Sequence, residues 1–182
     1  MRFFIFFLLS FSSFSQTSRD NDSWWSDNYN SVTTMGINGN YDSRFGNDSE
    51  DKIQKGVAVE MTTLHGIFLF DYLSLSAGLG IDWNSNRTFW SMPILGDLRI
   101  YFHEHGFDNS PFVFLQMGKN VKIGDVFVEG RPVKIGAGIT LGEDENLQYV
   151  LEIFKKFKEA VFVGETGYYE VTSFGASFGI KF

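Results

Sequence analysis

The sequence predicts an all-β fold, an eight-stranded antiparallel up-and-down β-barrel. Apolar residues alternate strictly with small or polar residues in several stretches, most clearly at residues 73–83 and 173–182, and a period of two places one apolar face on an extended strand. Polar clusters such as residues 84–86 and 142–146 separate these stretches, as turns do. The chain also holds 21 Phe and 19 Gly but only 3 Pro, and enrichment in aromatic residues and Gly without long apolar runs fits a barrel whose apolar residues alternate with small ones.

The first 29 residues are predicted to lie outside the barrel. Residues 1–16 are typical of a secretory signal peptide, because Arg2 precedes a short apolar core and small residues follow it. The alternative is a membrane anchor, but that core is shorter than the roughly 18–20 apolar residues of a spanning helix. Residues 17–29 are polar and predict a flexible periplasmic lead-in, which leaves residues 30–182 as the outer-membrane β-barrel domain.

Eight alternating stretches predict the barrel strands. A helix would need apolar residues three and four apart, which these stretches lack. Most are long enough to cross a bilayer tilted, which takes about 9–11 residues. Pro93 falls inside the fourth and predicts a bulge or kink there, since proline donates no ladder hydrogen bond. The predicted strands are residues 30–38, 53–64, 68–83, 88–102, 111–123, 131–141, 147–158 and 173–182.

The connections between these strands predict the orientation. An even number of strands places both termini on one side, which is the periplasmic side for outer-membrane barrels. The connections predicted on that side are short, and those on the other side are mostly longer. Turns are predicted on the periplasmic side at His65–Gly66 and at residues 103–110 and 142–146, and loops on the other side include residues 39–51, 124–130 and 159–170.

The two faces of the strands predict a transmembrane β-barrel. Soluble barrels have an apolar inside and a polar outside. Here the face opposite the apolar one carries mostly Gly, Ser and Thr with a few charges, residues that suit a crowded interior better than a solvated surface. Lipid would then contact the apolar face, and closure would pair every backbone group. A secreted soluble β-sandwich or barrel remains the alternative.

Aromatic residues near the strand ends predict two belts at the membrane interfaces, where rings with a polar edge are favoured. The first belt comprises Trp83, Phe89 and Trp90, and the second comprises Tyr72, Tyr101, Phe102, Phe112, Tyr149 and Phe182.

Charged residues on the predicted inner face form the candidate site. The interior of an eight-stranded barrel is narrow and largely filled, so charges there must pair. They predict a lumen charge network that either holds the barrel together or lines a small gated pore. Asp97 and Arg99 are the expected central pair, and Lys181 is expected near Glu60 or Glu152. The network comprises Glu60, Asp82, Asp97, Arg99, Lys134, Glu152, Lys156 and Lys181.

Residues 93–102, P-I-L-G-D-L-R-I-Y-F, and residues 111–114, P-F-V-F, look like the middle hairpin of porin-like β-barrel domains. The mature chain as a whole resembles the small eight-stranded outer-membrane barrels, of the kind seen in the transmembrane domain of the outer membrane protein A family. The resemblance implies export through the Sec pathway to the bacterial outer membrane, contact with its lipids, and assembly by periplasmic chaperones and the barrel-assembly machinery. It also implies an assembly signal at Phe178, Ile180 and Phe182, and the protein is expected to be a monomer.

Little in the sequence indicates catalysis, a cofactor or a metal. Enzymes of this fold class hold a catalytic His near the outer rim, whereas His65, His103 and His105 fall in predicted periplasmic turns. Neither residues 103–105 nor the acidic residues 42–51 have metal-ligand spacing. The chain has no Cys, which excludes disulfides and thiolate sites, and its net charge of −7 disfavours nucleic acid.

The sequence therefore predicts a non-enzymatic integral outer-membrane β-barrel with a structural, adhesive or minor permeability role. A narrow porin-like channel for ions or small solutes is the alternative, and a secreted soluble β-sandwich or barrel is the second alternative.

Overall fold

The computed structural model describes residues 28–45, 55–85, 88–104, 109–124, 127–144, 147–161 and 168–182. The predicted signal peptide and all but the last two residues of the predicted lead-in lie outside this part of the chain. Within it, no helix is long and apolar enough to span a membrane.

The described chain is built almost entirely from strands. β4 and β5 are two parts of one barrel strand that is interrupted at Met92, next to Pro93, so the barrel has eight strands. The register against β3 is the same on both sides of the interruption, so the strand is broken at the predicted place but contains no bulge. The strands are β1 (Tyr29–Phe45), β2 (Gly56–Phe70), β3 (Leu73–Asn84), β4 (Phe89–Ser91), β5 (Pro93–Tyr101), β6 (Pro111–Asn120), β7 (Pro132–Asp144), β8 (Leu147–Val161) and β9 (Tyr168–Lys181).

Strand pairing closes the sheet into a barrel. Each barrel strand pairs antiparallel with the next along the chain, and β1 pairs with β9. At this seam Ser31 and Phe182 exchange two backbone hydrogen bonds, with N···O distances of 3.1 and 2.9 Å. The predicted closed antiparallel eight-stranded barrel is therefore confirmed. We call the end that holds Tyr29 and Phe182 the terminal end, and the opposite end the loop end.

The barrel is polar inside and apolar outside. Exposure alternates residue by residue, as along β5 and β8, because successive side chains of a strand point to opposite faces. Among the described residues, 27 buried side chains are polar or charged and 15 are apolar. Outward residues such as Ile153, which is 69% exposed, are large and apolar. This reverses the arrangement of a soluble protein, where apolar side chains dominate the interior.

Two apolar clusters nevertheless fill parts of the interior. Their side chains point inward from several strands, and one cluster lies on each side of the polar middle of the barrel. The terminal-side cluster comprises Val32, Phe68, Tyr101, Phe112, Phe114, Val150 and Phe154. The loop-side cluster comprises Phe89, Val128, Ala160, Tyr169 and Val171.

The inward rings of β6 lie over glycines of β7. Phe112 is directly opposite Gly138, and Phe114 is opposite Gly136. A Cβ atom at Gly138 would lie 2.5 Å from Phe112 Cζ, and one at Gly136 would lie 2.8 Å from the Phe114 ring. The alternation of glycine on β7 with large rings on β6 thus lets a narrow barrel hold aromatic side chains.

The predicted turn at His65–Gly66 is wrong. β2 continues through both residues to Phe70, and the chain turns at Asp71 and Tyr72. Gly66 faces β3 so closely that a Cβ atom would lie 2.2 Å from Leu75 O. Its glycine therefore reflects close packing inside a strand, a reason that the sequence pattern does not distinguish from a turn. The predicted strand at residues 68–83 had merged the end of β2 with β3.

Other predicted loops are shorter than expected because strands continue into them. β1 continues to Phe45, into the predicted loop at residues 39–51, and β7 continues to Asp144, into the turn predicted at residues 142–146. β8 and β9 likewise extend into residues 159–170. These extensions carry polar residues, which the alternation of faces allows on the inner side of a strand.

Three residues of the predicted aromatic belts point inward instead. Phe89, Tyr101 and Phe112 are at most 4% exposed and belong to the two apolar clusters. Each of them is an even number of residues along the strand from a buried polar residue, as Tyr101 is from Arg99, so its side chain points to the same inner face. The other belt residues are exposed or partly exposed: Trp83, Trp90, Tyr72, Phe102, Tyr149 and Phe182.

We expect Gly138→Val to destabilise the barrel by roughly 1–3 kcal/mol, the cost of overpacking a filled interior. The new side chain would overlap the Phe112 ring. Gly39→Val is the matched control, because Gly39 faces outward with nothing within 4 Å of an added Cβ. Urea unfolding of the refolded variants, followed by circular dichroism, measures both. Equal midpoints for the two variants would contradict the packing argument.

Candidate functional site

The structure places all eight predicted network residues inside the barrel, each between 1% and 8% exposed. Seven of them lie together, and Lys181 lies apart. The seven come from β2, β3, β5, β7 and β8, and they meet because the barrel is narrow enough for side chains from opposite walls to touch. The seven residues are Glu60, Asp82, Asp97, Arg99, Lys134, Glu152 and Lys156.

The site begins with a buried arginine between two carboxylates. Arg99 Nε donates to Asp97 Oδ1 at 2.8 Å, and Arg99 Nη2 lies 2.9 Å from Glu152 Oε1. Ser177 donates its hydroxyl to Glu152 Oε2 at 2.6 Å. The predicted Asp97–Arg99 pair is thus present, and Glu152 links it to the rest of the site.

Two lysines continue the connection across the lumen. Lys134 Nζ lies 3.7 Å from Glu152 Oε2 and donates to Glu60 Oε1 at 2.8 Å. Lys156 donates to the other Glu60 oxygen at 2.5 Å and also to Asp82. The carboxylate of Glu60, on β2, therefore bridges lysines from β7 and β8.

A further lysine, Lys158, ends the series with its Nζ 3.2 Å from Asp82 Oδ1. The signs alternate without interruption, so four carboxylates neutralise four cations. Such an arrangement satisfies buried charges that would be very costly alone. We call this set the charge chain, and its order is Asp97, Arg99, Glu152, Lys134, Glu60, Lys156, Asp82 and Lys158.

Aromatic faces cover the cations of the charge chain. The Arg99 guanidinium carbon lies 4.9 Å from the centre of the Phe112 ring, and Lys134 Nζ lies 4.1 Å from that of Phe154. At the other end, Lys158 Nζ lies 4.6 Å from the centre of Phe89. These rings belong to the two apolar clusters, so the charge chain extends from one cluster to the other. Cation–π contacts of this kind favour cations that have left water.

Lys158 is the member that the sequence prediction missed. It lies two residues after Lys156 on β8 and therefore faces inward as well. The two-residue spacing from Lys156 could have predicted that Lys158 faces inward, but the predicted strand ended at residue 158.

Lys181 does not reach the carboxylates that the sequence suggested for it. Its Nζ donates to Gln148 Oε1 at 3.2 Å and lies 5.0 Å from the Phe68 ring and 5.2 Å from the Tyr101 ring. The expectation of a Glu60 or Glu152 partner is therefore wrong. Lys181 is at the terminal end of β9, and its neighbours there are the rings of the terminal-side cluster.

The space beside the charge chain is small. A cavity of about 20 Å³ lies against Glu60, Asp82, Gln116, Lys134 and Lys156. This volume has room for roughly one water molecule. At this cavity the charged side chains neutralise one another and leave no room for a ligand much larger than water.

Only part of the two segments considered for metal binding, residues 103–105 and 42–51, lies within the described residues. His65 lies within β2, where its Nδ1 is 2.6 Å from the Tyr29 hydroxyl oxygen, and His105 is outside the described residues. Asp42 lies in β1 and pairs with Arg44. The described part of the chain holds no group of three or more His, Cys, Asp or Glu residues arranged for a metal ion.

The residues of the expected assembly signal lie on β9 and directly after it. Phe178 faces outward and stacks on Tyr149, with ring centres 5.8 Å apart. Phe182 is exposed and Ile180 is partly exposed. These three side chains thus share the outer face at the terminal end.

No family model and no curated protein matches the chain. Among solved structures, the chain is similar to the N-terminal β-barrel domain of Pseudomonas aeruginosa OprF, with 16% identity over 81% of this chain and 96% of that one and a TM-score of 0.38. It is also similar to a de novo designed transmembrane β-barrel, with 13% identity over 81% and 94% of the two chains and a TM-score of 0.36. The barrel architecture rests on the strand pairing of this chain itself.

We expect Arg99→Met to destabilise the protein by about 3–5 kcal/mol, because it leaves Asp97 and Glu152 buried beside an apolar side chain. Arg44→Met is the matched control. Arg44 forms a 2.9 Å pair with Asp42, but its side chain is 43% exposed, so the loss should be no more than ~1 kcal/mol. Urea unfolding measures the difference, and similar losses for both variants would contradict a buried charge chain.

Proposed function

We propose that this protein is an integral outer-membrane β-barrel with a structural role and no catalytic one. The observation that carries the proposal is the reversed polarity of the closed barrel, with a neutral charge chain inside and apolar side chains outside. The eight groups of the charge chain are buried and paired with each other, which supports a role in holding the barrel rather than in a reaction.

The outer surface is suited to lipid. Among the described residues, 29 large apolar side chains are at least 37% exposed, and most of them lie on the outer faces of strands. Soluble monomers rarely expose contiguous apolar patches larger than a few hundred Å². A bilayer would cover such a surface, and the closed ring of strand pairs satisfies the backbone groups that lipid cannot.

Aromatic residues at the two ends support a spanning orientation. At the terminal end Tyr72, Phe102 and Tyr149 face outward, and at the loop end Trp90 and Phe157 do so. On β8, Tyr149 and Phe157 are eight residues apart. At about 3.3 Å per residue and a tilt of roughly 40°, this separation gives ~20 Å across the membrane, close to the apolar band of outer-membrane barrels.

Outer-membrane location, export and assembly partners are part of the same proposal. Outward aromatic residues follow β9 from Phe174 through Phe178 to Phe182. This row supports the expectation, implied by the family resemblance, that the barrel-assembly machinery recognises this strand. Monomeric state remains an expectation of the sequence, which predicts a structural, adhesive or minor permeability role. Among these, the buried charge chain supports the structural role.

The channel alternative is disfavoured by the filled interior. The charge chain and two apolar clusters occupy the lumen, beside a cavity of about 20 Å³. We therefore expect the purified protein to give no stepwise current in planar lipid bilayers, and Arg99→Met to leave the baseline unchanged. Reproducible single-channel steps that Arg99→Met alters would instead support a pore through the charge chain.

Membrane insertion gives the sharpest test of the proposal. We expect Ile153→Arg to reduce insertion into lipid vesicles strongly, because arginine on the lipid face near the bilayer midplane costs roughly 2–4 kcal/mol. Ile123→Arg is the control, since Ile123 is exposed but lies beyond the end of β6. Insertion is measured by heat-modifiable migration on unboiled gels together with vesicle flotation.

The secreted soluble alternative makes the opposite expectation. For a soluble barrel, Ile153→Arg would leave folding intact and improve solubility, and the wild-type protein would stay out of the vesicles. Either result would overturn the membrane proposal.

A further inference from the structure

We infer that the outer face of the barrel carries a binding site for the phosphate group of an anionic membrane lipid. The site consists of Lys155 and the rings of Tyr41, Phe157 and Phe174, which we call the lysine cage. The inference rests on the proposed membrane location and goes beyond it, because it names a ligand class and a position on the lipid-facing surface.

Lys155 is a cation whose nearest neighbours on the outer face are apolar. It lies on β8 between the outward residues Ile153 and Phe157. Across the ladder it faces Ile135 on β7 and Phe174 on β9. No ion pair joins Lys155 to a carboxylate within the described ranges, whereas the inward lysines of β8, Lys156 and Lys158, pair with Glu60 and Asp82. A lysine at lipid depth is unfavourable unless an anion partners it.

Three rings hold the ammonium group in place. Lys155 Nζ lies 4.7 Å from the centre of the Phe157 ring, 5.7 Å from that of Phe174 and 5.9 Å from that of Tyr41. Aromatic faces attract a cation and replace part of its water shell. An ammonium group that has lost water in this way attracts an anion more strongly than a solvated surface lysine does.

A β-bulge supplies one of these rings. The register between β1 and β9 shifts between Asn40 and Asp42, so Tyr41 has no direct partner on β9. Its ring instead stacks on Phe174, with centres 5.2 Å apart and planes at 17°. Bulges commonly redirect a side chain next to a functional site. Three adjacent strands, β1, β9 and β8, thus contribute to one cage.

The depth of the cage fits a lipid headgroup. Lys155 is six residues from Tyr149, which faces outward near the terminal end, and two from Phe157 near the loop end. Its backbone therefore lies roughly 5 Å inside the Phe157 level along the membrane normal. Its Nζ is 4.7 Å from the centre of the Phe157 ring, so the side chain extends toward the headgroups as lysines near an interface do. A lipid would place its phosphate against the ammonium group and its chains along the apolar face below, beside Ile153. That amphipathic match favours a lipid over a free phosphate ion.

Lys119 offers a matched control on the same surface. It is outward and exposed near the loop end of β6, opposite Ile94. Within the described ranges, no cation–ring contact joins Lys119 to an aromatic residue. The two lysines thus share charge and outer location but differ in the cage.

Native mass spectrometry of the full chain, released from detergent micelles that contain both phosphatidylglycerol and phosphatidylcholine, tests the inference. We expect Lys155→Gln to lower the retention of phosphatidylglycerol about tenfold relative to the wild type, the factor that ~1.4 kcal/mol of binding free energy represents. Lys119→Gln should retain the wild-type level. Tyr41→Ala should lower the retention by an intermediate factor. Lys155→Arg, which keeps the positive charge, should retain phosphatidylglycerol at the wild-type level.

Heat-modifiable migration is measured first for every variant, so that folding and binding are separated. A wild-type protein that shows no folded band and no vesicle insertion would overturn the membrane proposal itself. A folded, inserted Lys155→Gln variant that keeps the wild-type retention would overturn only the lipid site. Equal losses for Lys119→Gln and Lys155→Gln would also overturn it, because they would show attraction by surface charge without the cage.

Discussion

The pairing of β1 with β9 is the constraint on which the rest of this structure depends. Thirteen residue pairs join the two strands, from Val32 opposite Lys181 to Phe45 opposite Tyr169. Once this seam is closed, every residue of a barrel strand faces either a narrow lumen or the surroundings. The neutral charge chain, the inward rings over glycines and the apolar outer surface all follow from that division.

The inward or outward orientation of strand residues was the part of the fold that could be predicted from the sequence. The period of two is a local property, so the inward position of Glu60, Asp97 and Glu152 could be inferred from their own neighbours. Strand ends depend on contacts between strands instead. Gly66 was interpreted as a turn because its role, close approach to Leu75 on another strand, is invisible in its own segment.

The pairing of the buried charges was harder to predict than their burial. Which cation meets which carboxylate depends on the tilt and stagger of the strands, which periodicity does not specify. The Asp97–Arg99 pair could be found because both residues lie on one strand. Lys181 was assigned to carboxylates beyond its reach, and Lys158 was omitted because the predicted strand stopped at that residue.

The charge chain also joins residues that are far apart in the sequence. Glu60 and Asp82 come from early strands, and they meet Lys134 and Lys156 only across 74 to 96 residues of chain. Because such contacts need distant strands to come together first, we expect them to form late in folding, when the two edges of the sheet meet. Interactions that are absent from the folding transition state slow unfolding without accelerating folding. We therefore expect the buried charges to slow the unfolding of the closed barrel more than they accelerate its folding.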